Sequence, residues 1–272
     1  MTRGKTACRK WFRAFALITS ILFVRSEVPA QVPEIRIAAA ADLKFALGEI
    51  AERFEGQTGT KVNVTYGSSG NFFSQLQNGA PFDLFFSADI EYPAKLEAAG
   101  LTEPGTLYEY AVGRIVIWTA TDSKVDIAKL GWKALLDASV EKIAIANPDH
   151  APYGRAAVAA MQKAGIYESV KAKLVYGENI SQAAQFVQSG NAQAGILAKS
   201  LAVSPVMQGG KRWEIPAGMY PPLQQGAVIM KGAKNRDAAQ RFLEFVKTEP
   251  ERATLAKYGF EFPEKTKQAQ ER

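Results

Sequence analysis

Cysteine and histidine are nearly absent from this chain of 272 residues, which contains one of each, Cys8 and His150. A single cysteine cannot form a disulfide within the chain. Without a Cys or His cluster, the sequence also offers no typical site for a structural or catalytic metal ion. We therefore predict that no side chain binds a metal ion directly.

Catalytic motifs are missing as well. The sequence has no G-x-x-x-x-G-K-[ST] loop for a nucleotide phosphate. Residues 67–71, with the sequence GSSGN, depart from the G-x-S-x-G nucleophile elbow at the last position. His150 has no recognisable nucleophile and orienting acid to accompany it. We predict that the protein is not an enzyme and uses no cofactor.

The apolar run at residues 14–24 is too short to cross a bilayer, which takes roughly 20 residues. It follows a basic segment and precedes Val28-Pro29-Ala30. A basic start, a short apolar stretch and small residues before a cleavage point are typical of a secretory signal peptide. We predict that residues 1–30 form this signal and that the mature protein is exported.

Without the predicted signal, the chain has almost equal numbers of basic and acidic side chains. The formal net charge of the whole chain is +6, but residues 1–30 hold six Lys or Arg and one Glu. The remaining residues hold 27 basic and 26 acidic side chains. Binding to nucleic acid depends on a basic surface, so we predict no nucleic acid partner.

Strand and helix patterns alternate after the signal. Apolar runs typical of strands stand at residues 35–41, 61–66 and 82–88, and a segment of helical spacing follows each of them. The first of these helices is predicted from Asp42 to about Glu55. Three strand-then-helix units predict a parallel, doubly wound sheet. Ligands of such sheets bind at the carboxyl ends of the strands.

This alternation is interrupted by a longer β segment at residues 108–118 and later by residues 213–230, which contain three prolines. We interpret both as crossings between two α/β lobes. The predicted fold is therefore a pair of doubly wound lobes around a hinged cleft. Lobe 1 takes residues 31–113 and 217–272, and lobe 2 takes residues 114–216.

Asp42 stands where the first strand meets the first helix, behind four alanines. An Asp at this position can accept hydrogen bonds from the free N–H groups of the first helical turn, so Asp42 is predicted to be an N-cap. The same N–H groups, together with the positive end of the helix dipole, can hold an anion. The small alanine side chains would let a ligand approach the backbone closely.

Five motifs follow one another along the chain: AAAADL, VTYGSSGN, GAPFDLFFSAD, IANPDHAPYGRAA and SGNAQAGI. They resemble the motifs of the molybdate-binding proteins of bacterial ABC importers, which are type II periplasmic binding proteins. The resemblance extends from about Ile35 to Phe260. It implies a periplasmic monomer that binds molybdate or tungstate in the cleft. It also implies delivery of this oxyanion to the membrane permease subunits of an importer.

The resemblance implies that neutral donors hold the anion. The corresponding residues are Ser69, through its hydroxyl, with Ser68 next to it. In lobe 2 they are Tyr153 and Ile180, each through its backbone N–H at the start of a predicted helix. Asn71, which follows the serines, is a further candidate.

Two positions depart from the family pattern, because Asp42 replaces a first-turn hydroxyl and Ala198 replaces a tyrosine. A carboxylate about 4 Å from a dianion would repel it by roughly 1 to 4 kcal/mol, depending on screening. Three accounts are open: Asp42 caps its own helix, Arg155 offsets its charge, or Asp42 accepts a proton from the ligand. The third account gives an alternative function, with the same fold and role but selectivity for a protonated phosphate- or arsenate-like oxyanion.

Overall fold

The computed structural model describes residues 33–263, so the predicted signal peptide at residues 1–30 lies outside the described residues. Within this part of the chain, the frame is two five-stranded sheets. The strands are, in chain order, β1 (Glu34–Ala40), β2 (Lys61–Gly67), β3 (Leu84–Ser87), β4 (Tyr108–Gly113), β5 (Ile115–Thr119), β6 (Ile143–Ala146), β7 (Leu174–Gly177), β8 (Ala194–Ala198), β9 (Lys211–Glu214) and β10 (Leu223–Ile229).

Helices flank both sheets. They are α1 (Lys44–Thr58), α2 (Ser69–Gln77), α3 (Glu91–Ala98), α4 (Ile127–Leu130), α5 (Pro152–Lys163), α6 (Tyr167–Val170), α7 (Ile180–Gln188), α8 (Lys199–Ala202), α9 (Arg236–Val246) and α10 (Glu249–Lys257). Short 3-10 segments lie at Ala41–Leu43, Gly131–Leu136, Lys171–Lys173 and Ala217–Met219. Among residues 33–263, no helix is long and apolar enough to span a bilayer.

The first sheet has the strand order β2-β1-β3-β10-β4 and forms lobe 1. β1 pairs in parallel with β2 and β3, but β10 is antiparallel to both β3 and β4. Leu223 at the start of β10 pairs with Gly113 at the end of β4, so the chain re-enters lobe 1 where it left and runs back. The sheet is therefore mixed, and the prediction of a parallel sheet is right only for β1 to β3.

The second sheet has the strand order β7-β6-β8-β5-β9 and forms lobe 2. β6 pairs in parallel with β7 and β8, whereas β5 is antiparallel to β8 and β9. The predicted lobe boundaries, 113/114 and 216/217, lie between β4 and β5 and between β9 and β10. As exact boundaries they stay a prediction.

The first helix packs as its periodicity predicts, but it begins later. Its apolar positions at helical spacing are buried in the core of lobe 1: Ala46, Leu47, Ile50, Ala51 and Phe54. Helix α1 begins at Lys44 rather than at Asp42, because Ala41–Leu43 form a 3-10 turn ahead of it. It ends at Gly59, whose φ of 68° favours glycine.

Small side chains let the two lobes pack directly on each other. Ala40, Ala41 and Ala88, from strand-to-helix turns of lobe 1, belong to the same buried cluster as the strands of lobe 2. Across this contact, Ser181 Oγ donates to the Ala41 carbonyl at 2.9 Å, and Ser200 Oγ donates to the Asp42 carbonyl at 2.8 Å. The turn after β1 is thus fixed against lobe 2.

Candidate anion-binding site

A small cavity lies between the lobes, at the carboxyl ends of β1, β2 and β3 and the N-termini of α2, α5 and α7. The empty space here, including the part open to solvent, is about 200 Å³, and it is lined by Ala40, Ala41, Asp42, Gly67, Ser68, Ser69, Ala88, Ala151, Pro152, Tyr153 and Ile180. Five residues predicted from the sequence therefore lie together: Asp42, Ser68, Ser69, Tyr153 and Ile180. The other three candidates, Asn71, Arg155 and Ala198, are not part of this lining.

The two serines after β2 have different hydrogen bonds. Ser68 is the N-cap of α2, where its Oγ accepts from the Asn71 N–H at 3.4 Å. The same Oγ lies 2.9 Å from Nδ1 of His150 in lobe 2. Ser69 Oγ accepts from the Ala88 N–H at 2.9 Å, so its own O–H remains able to donate. Ser69 therefore supplies a neutral donor at the cavity.

Glycine at position 70 allows the lobes to meet beside these serines. Its N–H donates to the His150 carbonyl at 2.9 Å across the cleft. A Cβ at Gly70 would lie 2.6 Å from that carbonyl oxygen, so a larger residue would separate the two loops. The contact brings lobe 2 against the serine loop, which is a closed arrangement of the cleft.

Two helix N-termini of lobe 2 face the cavity. In α5, Pro152 has no N–H, and Tyr153 follows it in the first turn, where the helix provides no acceptor for its N–H. In α7, Asn179 Oδ1 accepts from the N–H groups of Ser181 and Gln182, which leaves the Ile180 N–H uncapped by this side chain. Free amides and helix dipoles together favour an anion here.

The prediction that Asp42 is an N-cap is wrong. The N-cap positions of the 3-10 turn and of α1 are Ala40 and Leu43, and neither helix has a side-chain cap, because Asp42 lies within the 3-10 turn. Its Oδ2 instead accepts from Tyr153 Oη–H and from Gln225 Nε2–H, each at 2.8 Å. These partners belong to α5 of lobe 2 and to β10 of lobe 1, so the carboxyl group joins both lobes.

The carboxyl group of Asp42 is buried, with 1% of the residue exposed, and its Oδ1 has no partner among the described residues. Burial raises the pKa of Asp42 to about 6, and this rise is limited by the hydrogen bonds from Gln225 and Tyr153 and by the nearby backbone N–H groups of Asp42 and Leu43. Tyr110 Oη–H extends the cluster by donating to Gln225 Oε1 at 2.7 Å. Gly113 lies so close to Tyr153 Oη and Gln225 Nε2 that a Cβ would collide with both.

Arg155 does not offset the charge of Asp42, which contradicts the second account. Its guanidinium donates to Asp89 Oδ2 at 2.6 Å and to Tyr92 Oη at 3.2 Å, in the wider groove beside the cavity. Asn71 Nδ2 lies 3.4 Å from Glu178 Oε1. Ala198 ends β8 and is fully buried, where its methyl group offers no donor.

Sequence reasoning missed Gln225 and Tyr110, which hold the Asp42 carboxyl group. The sequence signal for Gln225 is its place directly before the largely apolar run Gly226–Ile229 of β10, and the structure buries it fully. Within residues 33–263, no group of three or more His, Cys, Asp or Glu side chains is placed to bind a metal ion.

Two α/β lobes closed over a small cavity of hydroxyls and helix N-termini define a solute-binding protein of the periplasmic type. The family model of the bacterial extracellular solute-binding proteins matches residues 35–261, and the chain belongs to this family. Membership confirms the predicted fold class, with mixed sheets, and the prediction that the protein is not an enzyme.

Within this family, the chain is similar to proteins that are named as molybdate-binding. The chain is 38% identical over 260 residues to the molybdate-binding protein ModA of Rhodobacter capsulatus, covering 96% of this chain and 99% of that one. It is 41% identical over 233 residues to ModA of Azotobacter vinelandii, covering 85% and 91%. The solved structure of the periplasmic molybdate-binding protein of A. vinelandii superposes with a TM-score of 0.79 and 31% identity, covering 84% of this chain and 99% of that one.

Proposed function

We propose that this protein binds molybdate, or tungstate, as an intact oxyanion in the cavity between its lobes and delivers it to the permease subunits of an ABC importer. The observation that carries the proposal is the convergence of Ser69, Tyr153 and Ile180 at one small cavity. Two relatives that align over most of the chain are named molybdate-binding proteins, which supports this ligand.

The donors at the cavity are suited to a tetrahedral dianion. Ser69 offers an O–H, and Tyr153 and Ile180 offer backbone N–H groups from the opposite lobe. No Lys or Arg is among the lining residues, so hydrogen bonds and helix dipoles supply the attraction. Because donors come from both lobes, a bound anion would stabilise the closed arrangement.

The alternative, a protonated phosphate- or arsenate-like ligand selected by Asp42, is not favoured, because the relatives that align over most of the chain are named molybdate-binding proteins. We also propose that the protein acts in the periplasm as a monomer, without a cofactor or a nucleic acid partner. The molybdenum atom would have no direct protein ligand, since the oxyanion binds intact.

Calorimetric titration of the protein purified from the periplasm of an expressing bacterium tests the proposal. Molybdate and tungstate should bind with one site per chain, and sulfate and phosphate should bind far more weakly or not at all. Ligand should also raise the melting temperature, because it binds only the folded protein. Absence of both heat and thermal shift with molybdate and tungstate would contradict the proposed function, and tight phosphate binding would favour the alternative.

A further inference from the structure

The two oxygens of the Asp42 carboxyl group differ in their surroundings. Oδ2 accepts two hydrogen bonds, from Tyr153 Oη–H and Gln225 Nε2–H. Oδ1 is buried and has no partner among the described residues, although Asp42 lines the cavity. A buried polar atom without a partner is unfavourable, and an ionised one beside a dianion would also meet a like charge. Oδ1 would therefore be stabilised by a hydrogen-bond partner or by a proton.

We propose that Asp42 binds the oxyanion as a neutral carboxylic acid, with the proton on Oδ1 donated to a ligand oxygen. This rests on the proposed function, since it concerns the same cavity. In the step, the carboxylate takes one proton from solvent and its new O–H forms a hydrogen bond to the anion. No bond of the ligand breaks, and the ligand keeps both negative charges. Asp42 thereby replaces a neutral hydroxyl donor.

The hydrogen-bond cluster places the proton on Oδ1. Tyr110 Oη–H donates to Gln225 Oε1 at 2.7 Å, which leaves Nε2 of the same amide to face Asp42. Nε2 can only donate, and it also lies 3.0 Å from Tyr153 Oη, which in turn donates to Asp42. With two donors directed at Oδ2, that oxygen is the acceptor of the carboxyl group and Oδ1 is free to carry hydrogen.

The tyrosines that face Asp42 carry no charge near neutral pH. Burial, and then the proximity of Asp42, keep the pKa of the Tyr153 phenol well above its ordinary value, and the same causes act on Tyr110. Tyr66, on the neighbouring β2, also has a raised pKa, chiefly through burial. These phenols therefore do not compete with Asp42 for the proton.

No described basic side chain pairs with Asp42. Lys199 of α8, which packs against the turn of Asp42, pairs with Glu214 at 2.8 Å. Lys44 follows the turn on α1 and is exposed. From α7, Ser181 contributes a neutral hydroxyl to this turn. The imidazole of His150 does not contact Asp42 among the described residues, and its Nδ1 lies 2.9 Å from Ser68 Oγ.

The sign of the pH effect follows from this arrangement. Burial raises the pKa of Asp42 to about 6 in the closed arrangement, so without ligand the group is mostly ionised at pH 8 and must gain a proton to bind. Binding should therefore take up nearly one proton at pH 8 and progressively less below pH 6. If only the acid form binds, the molybdate Kd should rise about 50-fold from pH 6 to pH 8.

The test is titration of the whole periplasmic protein with micromolar molybdate at several values from pH 5.5 to 8.5. Buffers of different ionisation enthalpy give the number of protons taken up for each anion bound. We expect Asp42→Asn, whose amide can donate in place of the acid, to bind molybdate with a Kd independent of pH. Asp42→Ala should bind more weakly than Asp42→Asn at every pH, because it offers no donor.

His150→Gln is the matched control, because the His150 ring contacts Ser68, which lines the same cavity, and does not contact Asp42. This variant should retain the proton uptake, and loss of uptake in it would overturn the assignment to Asp42. The wild-type protein keeps the test decisive even if a variant does not fold. Molybdate binding by the wild type without proton uptake would contradict this inference alone, whereas no molybdate binding at any pH would contradict the proposed function.

Discussion

Two strand-to-helix turns of lobe 1 bring polar side chains to the cavity, and these side chains are held in different ways. In the serine turn, residues 67–70, Ser68 accepts from the N–H of Asn71 and caps α2. In the aspartate turn, residues 41–43, Asp42 caps nothing and bonds to Tyr153 and Gln225, which are 111 and 183 residues away in the sequence. The serine turn has a local cap, and the aspartate turn depends on both lobes.

The two turns also differ in how their donors respond to pH. A serine hydroxyl is neutral and can donate at any physiological pH. The carboxyl group of Asp42 can donate only when protonated, and burial raises its pKa to about 6. The comparison teaches that one cavity can combine a donor that is always present with a donor that depends on a proton.

The largest expected effect comes from removing the charge of the aspartate turn. Burial raises the pKa of Asp42 from 3.8 to about 6, so the ionised form lowers the free energy of unfolding by at most about 3 kcal/mol above pH 6. This cost disappears as the pH falls toward 4. Asp42→Asn should therefore stabilise the ligand-free protein at pH 8 and much less at pH 4, as measured by urea unfolding. An equal effect at both values would contradict the account.

A larger residue at Gly113, beside the two donors that bind Asp42, should destabilise the protein. A Cβ at Gly113 would collide with Tyr153 Oη and Gln225 Nε2, the two donors to Asp42. Gly113→Ala should lower the free energy of unfolding by about 1 to 3 kcal/mol, because the cluster must shift. Gly56→Ala in α1 is the control, since a Cβ there meets nothing within 4 Å and favours the helix. Equal stability of both variants in urea unfolding would show that Gly113 does not hold the cluster.

Within the serine turn, the two hydroxyls should separate binding from stability. Ser69→Ala removes a free O–H donor, and we expect molybdate affinity to fall by about 10- to 100-fold in calorimetric titration. Ser68→Ala should instead cost about 1 kcal/mol of stability through loss of the α2 cap. Ser68→Ala should lower molybdate affinity less than Ser69→Ala does. A larger loss of affinity in Ser68→Ala would contradict the assignment of Ser69 as the donor to the anion.

The smallest expected effect is at the edge of the cleft. The side chains of Arg155 and Asp89 are 41% and 25% exposed, so their ion pair contributes at most about 1 kcal/mol to stability. Arg155→Met should change molybdate affinity only slightly and should leave the proton uptake at Asp42 intact. Loss of proton uptake in Arg155→Met would indicate that Arg155 interacts with Asp42 and would contradict this account.

The sequence predicted those features that depend on local periodicity and on motif resemblance. Alternating apolar runs located the first three strands and the helices that follow them, and the motifs identified five residues that line one cavity. The reversed direction of β10 was not predictable from periodicity, because an apolar run looks the same whether the strand pairs in parallel or antiparallel with its neighbour. The partners of Asp42 were missed because capping rules describe neighbours in sequence, whereas Tyr153 and Gln225 reach it only through the fold.

The central claim is that an oxyanion binds between the lobes on neutral donors from both turns and both lobes. A crystal of the protein grown with molybdate, measured at the molybdenum absorption edge, tests this most directly. The account predicts one strong anomalous peak within the cavity, with ligand oxygens at hydrogen-bond distance from Ser69 Oγ, Asp42 Oδ1 and the N–H groups of Tyr153 and Ile180. A molybdenum peak elsewhere, or one coordinated directly by a side chain, would contradict it.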